Sequence, residues 1–157
     1  MSVAAKTADG KIFIESIDCR PIREGNGWIL AFLTRADTEK VVVDGANGQD
    51  LLAEGMKQAK LKAPILPTVK QIIMANAIFM QSLSARADSQ VHSVCHRGQP
   101  SLMRAASNCE KRAIGSAGGF GFQSIQEGVE IGLLDSAILA YWACSEHKEK
   151  RKQKVRC

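Results

Sequence analysis

The sequence lacks the features that mark secreted, membrane-spanning and disulfide-rich proteins. Its opening stretch, MSVAAKTADGK, contains no continuous apolar core and does not read as a signal peptide. The longest apolar run, residues 131–144, is interrupted by Asp135 and is too short to span a bilayer. The five cysteines are odd in number and form no CxxC pair. These absences predict a cytoplasmic protein with reduced thiols.

The chain also lacks a basic body, an internal repeat and a Walker loop. The net charge of +5 comes from the last ten residues, KEKRKQKVRC, because residues 1–147 carry 15 basic and 15 acidic side chains. The segment GSAGGFGF is not followed by GK[ST], which argues against an ATPase site. We predict one domain over residues 1–147 and a basic tail over residues 148–157.

The basic tail is a candidate contact for nucleic acid. Its cations would attract phosphates and release counterions, and the candidates are Lys148, Lys150, Arg151 and Lys152. A solvated terminus without a binding role explains the same composition.

Hydrophobic periodicity predicts an opening hairpin followed by alternating strands and helices. Residues 2–8 and the alternating KIFIESID pair as strands around Asp9 and Gly10. Thr68 and either Asn47 or Gly48 are predicted to begin helices. Further strands are predicted in KVVVDG, QVHSVCH and the segment after GSAGG, and APILPT is predicted to be extended. Helices are predicted in WILAFLTRA, GQDLLAEGMKQA, VKQIIMANAIFMQSLSARA, PSLMRAASNCEKRAI and residues 131–147. This order predicts an α/β fold with at least one parallel crossover.

Asp44 is the first candidate functional residue, because it directly follows three valines and precedes Gly45. Ligands of α/β proteins gather at the carboxyl ends of parallel strands. A carboxylate at that position needs a hydrogen-bonding, ionic or metal partner. The alternative is that Asp44 only caps the following turn.

Asp135 is the second candidate, because it interrupts an otherwise apolar helix. A metal ion shared with Asp44 would compensate both charges. Glu130 lies five residues earlier and reaches the same site only if the helix begins between the two acids. The alternative places Asp135 at the exposed edge of the helix and Glu130 near its N-terminus, where the helix dipole favours an acid.

Two further side-chain sets have candidate binding roles. Arg104, Lys111 and Arg112 share one stripe of the predicted helix with Asn108 and would follow a phosphate backbone, although a solvated charged face has the same pattern. His92, Cys95, His96 and Cys109 offer zinc ligands, but HxxCH is not a standard finger spacing.

Five segments in this order resemble the C-terminal nuclease domain of the large terminase subunit of tailed bacteriophages and prophages. They are ADGKIFIESIDCRP, VVVDGANGQDLLAEGM, LPTVKQIIMANAIFMQSL, LMRAASNCEKRAIGSAGGFGF and EIGLLDSAILAYWA, which together cover nearly the whole chain. The resemblance implies an RNase H-like mixed sheet flanked by helices. It also implies cleavage of concatemeric double-stranded DNA in a bacterial host cell, with the terminase small subunit and the portal protein as partners.

The same resemblance assigns roles to the acids. Asp44 corresponds to the acid at the end of the central crossover strand, and Asp135 to the acid of the last helix, with Glu130 as the competing candidate. These acids would bind Mg²⁺ or Mn²⁺, in a two-metal site in the intact family, and such hard cations prefer oxygen ligands.

One part of the family pattern has no counterpart in the sequence. The family's first strand, which carries another aspartate, and its ATPase domain would precede Met1, and neither Asp9 nor Asp18 replaces that aspartate. We therefore expect an N-terminally truncated domain that binds metal weakly and cuts DNA poorly or not at all, with unpaired strand edges that invite self-association. The competing hypotheses are a non-catalytic nucleic-acid-binding or assembly module, a remnant, or a fragment of another RNase H-like nuclease such as a junction resolvase or transposase.

Overall fold

The fold is mixed α/β, with two small sheets. A computed structural model describes residues 1–45, 48–86, 89–116 and 118–146. Within these ranges the strands are β1 (Ser2–Lys6), β2 (Ile12–Ser16), β3 (Val94–Cys95), β4 (Cys109–Ile114) and β5 (Gly119–Ser124). The helices are α1 (Gly27–Arg35), α2 (Gln49–Gln58), α3 (Val69–Ser82), α4 (Pro100–Ser107) and α5 (Gly132–Ser145), and Ile22–Glu24 form a 3-10 turn. The first sheet has the order β1-β2-β3, and β4 pairs with β5 in the second. The α/β prediction is confirmed at this level.

The opening hairpin forms where the alternating pattern predicts it. β1 and β2 pair antiparallel, with Ser2 opposite Ser16 and Lys6 opposite Ile12. Ile12 and Ile14 are buried, as period-2 alternation requires of a sheet with one covered face. Gly10, with a φ of 82°, supplies the left-handed residue of the turn.

Parallel pairing is present but short. β2 pairs with β3 in parallel, and Val42 forms a parallel bridge with Ile65. The predicted strands over residues 40–45 and 90–96 are thus reduced to a bridge and to two residues. Pro64 and Pro67 flank Ile65 and have no N–H group to donate, which limits the ladder to the bonds around Ile65.

The segment Val41–Val43 separates two hydrophobic clusters. Val42 packs against the main core, whereas Val41 and Val43 pack against a smaller cluster made by α1 and α2. Successive side chains of an extended segment point to opposite faces, so the valine run is covered on both sides.

Helix α5 is the centre of the main core. Seven of its residues are buried: Leu134, Ala137, Ile138, Leu139, Tyr141, Trp142 and Ala143. The Tyr141 ring meets Phe79 of α3 edge-to-face at 5.6 Å, and the Tyr141 hydroxyl donates to the His92 carbonyl. A helix that is apolar around its circumference must be covered on all sides, and the surrounding elements do this. No helix in the described ranges is long and apolar enough to cross a membrane.

The predicted helix starts are confirmed, but one predicted helix is wrong. Gly48 is the N-cap of α2, and Thr68 forms a capping box with Gln71 at the start of α3. The helix predicted over residues 100–114 ends at Ser107, and Cys109–Ile114 form strand β4 instead. The four-residue, glycine-containing loop to β5 supplies a hairpin turn, and pairing with β5 outweighs helix propensity in this segment.

Glycines let α3 pack closely on the β4–β5 hairpin. A Cβ atom on Gly119 would lie 2.3 Å from Ile73 Cδ1, and a Cβ on Gly121 would lie 3.9 Å from Asn76 Nδ2. The backbone of β5 therefore approaches α3 at a distance that a larger side chain at position 119 would not allow.

We expect Gly119→Ala to destabilise the fold by about 1–3 kcal/mol, because the new methyl group overlaps Ile73. Urea unfolding measures the effect. Gly132→Ala is the matched control, since its Cβ meets no atom within 4 Å. The cost should largely disappear in an Ile73→Ala background, and an undiminished cost there would contradict the close approach.

Candidate functional site

Asp44 and Asp135 converge at one surface of the main core. Asp44 directly follows Val41–Val43, and Asp135 lies in the first turn of α5. The negative charge of Asp44 helps to raise the pKa of Asp135, so the two carboxyl groups are close enough for their charges to interact although 91 positions separate them in the sequence. The structure thus brings together the two acids on which the sequence interpretation depends.

The direction of the valine segment explains this convergence. Lys40 Nζ donates to the Ala143 carbonyl near the end of α5 at 3.1 Å, whereas Asp44 acts on Asp135 near its start. Residues 40–44 therefore run antiparallel to α5. Four extended steps span about 13 Å, and the eight helical steps from 135 to 143 span about 12 Å. The length of residues 40–44 thus matches the length of α5 between Asp135 and Ala143, so one end of the segment lies towards the end of α5 and the other towards its start.

Asp135 has a raised pKa of about 6. The largest cause is partial removal of water from its carboxyl group by the surrounding protein, followed by repulsion from Asp44, while Arg112 acts in the opposite direction. The residue as a whole is nevertheless exposed. Because water screens charges at an exposed surface, the effect of Asp135 on stability is smaller than its pKa shift alone implies.

Arg112 supplies a cation beside the acids. It lies on β4, and its Nε donates to the Phe122 carbonyl of β5 at 3.2 Å, which ties the side chain to the hairpin. Its charge lowers the pKa of Asp135. The neighbouring Cys109 thiol has a raised pKa, first because of burial and second because of the Asp135 charge. Hairpin, helix and valine segment therefore all contribute side chains to this surface.

Glu130 is not among the charges that act on Asp135. It is exposed and lies two residues before α5 begins, whereas the charges that shift the pKa of Asp135 are those of Asp44 and Arg112. In the described part of the chain, no group of three or more His, Cys, Asp or Glu is placed to hold a metal ion. The proposed zinc set and a three-acid site are therefore not assembled by these residues.

The basic residues predicted to share one helix stripe do not do so. Arg104 is on α4, but Lys111 and Arg112 are on β4 because the helix ends at Ser107. All three are exposed, and Lys111 Nζ lies 4.5 Å from the centre of the Phe120 ring. The tail candidates Lys148, Lys150, Arg151 and Lys152 lie outside the described residues.

Sequence reasoning missed the role of Asn108. It was assigned to an exposed stripe, but its side chain is only 8% exposed and bonds to the segment before α5. The signal that would have found it is the glycine-containing turn after Ile114, which predicts a hairpin and places Asn108 at the base of one strand.

Comparison with known proteins found no matching family model, no similar curated protein and no similar solved structure.

We expect Asp135→Asn to stabilise the fold more at pH 7.5 than at pH 3.5. Because the folded pKa of about 6 exceeds the ordinary 3.8, the folded state holds its proton more tightly, and wild-type stability falls as pH rises through this interval. After allowance for screening, the gain at pH 7.5 is on the order of 1 kcal/mol. Urea midpoints at the two pH values measure it.

The control for this substitution is Asp37→Asn, which removes one negative charge at an exposed position elsewhere. An equal gain from both variants would show that net charge, not the environment of Asp135, is responsible.

Proposed function

We propose that this chain is part of a metal-dependent DNA endonuclease domain of the terminase large-subunit type, with an RNase H-like fold. The observation that carries the proposal is the approach of Asp44 and Asp135 across the start of α5. This is the arrangement that the resemblance implies for the crossover-strand acid and the last-helix acid. The expected substrate is double-stranded DNA.

The acids fit a hard divalent cation in ligand type but are few in number. Carboxylate oxygens are the ligands that Mg²⁺ and Mn²⁺ prefer, and a cation between two neighbouring carboxylates would offset the repulsion between their charges. When bound, such cations activate water and stabilise the leaving oxygen of a phosphodiester. Asp44 and Asp135 would hold the cation, and Arg112 would contact a DNA phosphate. We infer weak metal binding from two acids.

The arrangement of the extended segments along α5 supports the proposal of an RNase H-like fold. Ser2 Oγ donates to the Leu133 carbonyl at 3.4 Å near the start of α5. Burial raises the pKa of the Cys144 thiol near its end, and Lys6 and Lys40 both oppose that shift. β1 therefore runs parallel to α5, while residues 40–44 run antiparallel to it.

These two extended segments are antiparallel to each other and share one core. Among the described residues, β1 pairs only with β2, and Val42 only with Ile65. The family that the chain resembles has a further strand with another aspartate in its sheet, and unpaired strand edges favour self-association.

A second candidate function is a non-catalytic nucleic-acid-binding or assembly module. The observation that favours it is the absence, within the described ranges, of a third metal-binding side chain near the acid pair. In this alternative, the contacts to DNA come from Arg104, Lys111, Arg112 and the basic tail, and binding is dominated by phosphates.

We expect the purified chain to bind Mn²⁺ weakly and to nick plasmid DNA slowly. Asp44→Asn and Asp135→Asn should each weaken Mn²⁺ binding at least tenfold and abolish nicking, because each removes one of two ligands. Electron paramagnetic resonance measures free Mn²⁺, and gel electrophoresis measures nicking. Asp37→Asn is the control and should match wild type.

Each contrary outcome has a distinct meaning. Fast nicking by the wild type would contradict the incomplete site. Unchanged Mn²⁺ affinity in Asp44→Asn and Asp135→Asn would remove the acid pair from the proposal. Loss of DNA binding on deletion of residues 148–157, with no effect of the acid substitutions on any activity, would favour the binding module.

A further inference from the structure

The buried Asn108 side chain connects the base of the β4–β5 hairpin to the segment that precedes α5. Its Nδ2 donates to Ser124 Oγ at 2.6 Å and lies 3.4 Å from the Val129 carbonyl. Its Oδ1 accepts from the Gln126 backbone N–H at 3.2 Å. The Asn108 side chain thus forms hydrogen bonds to residues at three positions within a six-residue stretch. None of these positions lies in α4, the helix that precedes Asn108.

Ser124 completes this connection. Its Oγ lies 2.7 Å from the Gln126 carbonyl and 2.5 Å from the Val129 carbonyl, so the hydroxyl donates to one of them while accepting from Asn108. The Asn108 carbonyl also accepts from the Ile125 N–H at 3.0 Å. We call Asn108, Ser124, Gln126 and Val129 the Asn108 clasp.

The clasp is close to Asp135 along the chain. Val129 lies two residues before the buried Ile131, whose carbonyl accepts from the backbone N–H groups of Leu134 (2.8 Å) and Asp135 (3.2 Å). The N-cap residue of α5, Ile131, makes no side-chain capping hydrogen bond. The segment that enters the first turn therefore helps to hold it, and the clasp fixes that segment.

We propose that Asn108 is a positioning residue for the acid pair: it holds the entry to α5 against the β4–β5 hairpin and thereby sets where Asp135 stands relative to Asp44 and Arg112. The inference rests on the proposed metal-binding function. Residues that orient metal ligands commonly change metal affinity by 10- to 100-fold when replaced.

A second buried asparagine provides a matched control. Asn76 is 4% exposed, but its Nδ2 donates to the Ile72 carbonyl at 2.9 Å within α3. Asn76→Ala therefore removes a buried amide of the same kind without touching the entry to α5. Both substitutions should destabilise the fold, so loss of stability does not distinguish a positioning role, whereas metal affinity does.

The experiment measures Mn²⁺ affinity by electron paramagnetic resonance in the full chain. The variants are Asn108→Ala, Ser124→Ala and Asn76→Ala, each checked for folding by circular dichroism. We expect Asn108→Ala to weaken Mn²⁺ binding about tenfold or more. Ser124→Ala, the milder change to the same clasp, should weaken it in the same direction, and Asn76→Ala should leave it unchanged. If Asn108→Ala does not fold, Ser124→Ala decides.

The outcomes separate this inference from the function on which it rests. Wild-type affinity in the folded clasp variants, with Mn²⁺ bound by the wild type, would overturn the positioning role and leave the metal site standing. An equal loss of Mn²⁺ affinity in Asn76→Ala would also overturn it, since a general loss of stability would then explain the weaker binding. Absence of Mn²⁺ binding by the wild type would end the proposed metal site, and with it the role of Asn108.

Discussion

The burial of α5 is the constraint on which the rest of the structure depends. Trp142 and Ile138 are 2% exposed and Tyr141 is fully buried, so beyond its first turn this helix is covered on all sides. The hairpin β1–β2, the helices α3 and α4 and the segment Val41–Val43 supply the cover. Since the valine segment runs against α5 and ends at its first turn, packing of apolar side chains brings two carboxylates to one place. The candidate site is thus held by the core, and its acids need no contact of their own to meet.

The ionised carboxyl group of Asp135 lowers the stability of the fold. Water is partly excluded from Asp135, and Asp44 repels it, while Arg112 compensates only in part. A fold without a use for this charge would be more stable with a neutral residue at position 135. Groups with strongly shifted pKa values gather at functional sites, which is the physical basis for proposing a ligand-binding role here. The two-acid composition explains why we expect weak rather than tight binding of a cation.

Local signals predicted local structure well. The alternating pattern in β2, the Thr68 cap and the turn at Gly10 are short-range features, and each appears where expected. The helix over residues 100–114 was wrong because strand pairing with β5 and the buried contacts of Asn108 depend on residues 5 to 21 positions away. Asp44 and Asp135 were proposed from their placement beside apolar runs, yet their approach depends on the direction of the valine segment along α5. The hydrophobic periodicity of the sequence does not indicate in which direction the segment runs along α5.

The most direct test of the central claim is the titration of the Asp135 carboxyl group, followed by carbon-13 nuclear magnetic resonance in the wild type and in Asp44→Asn. Proximity of the acids predicts that Asp135 titrates near pH 6 in the wild type. In Asp44→Asn its pKa should fall, without reaching the ordinary 3.8, because the dehydration of the carboxyl persists. An identical pKa in both proteins would show that Asp44 and Asp135 do not share a site and would contradict the nuclease proposal.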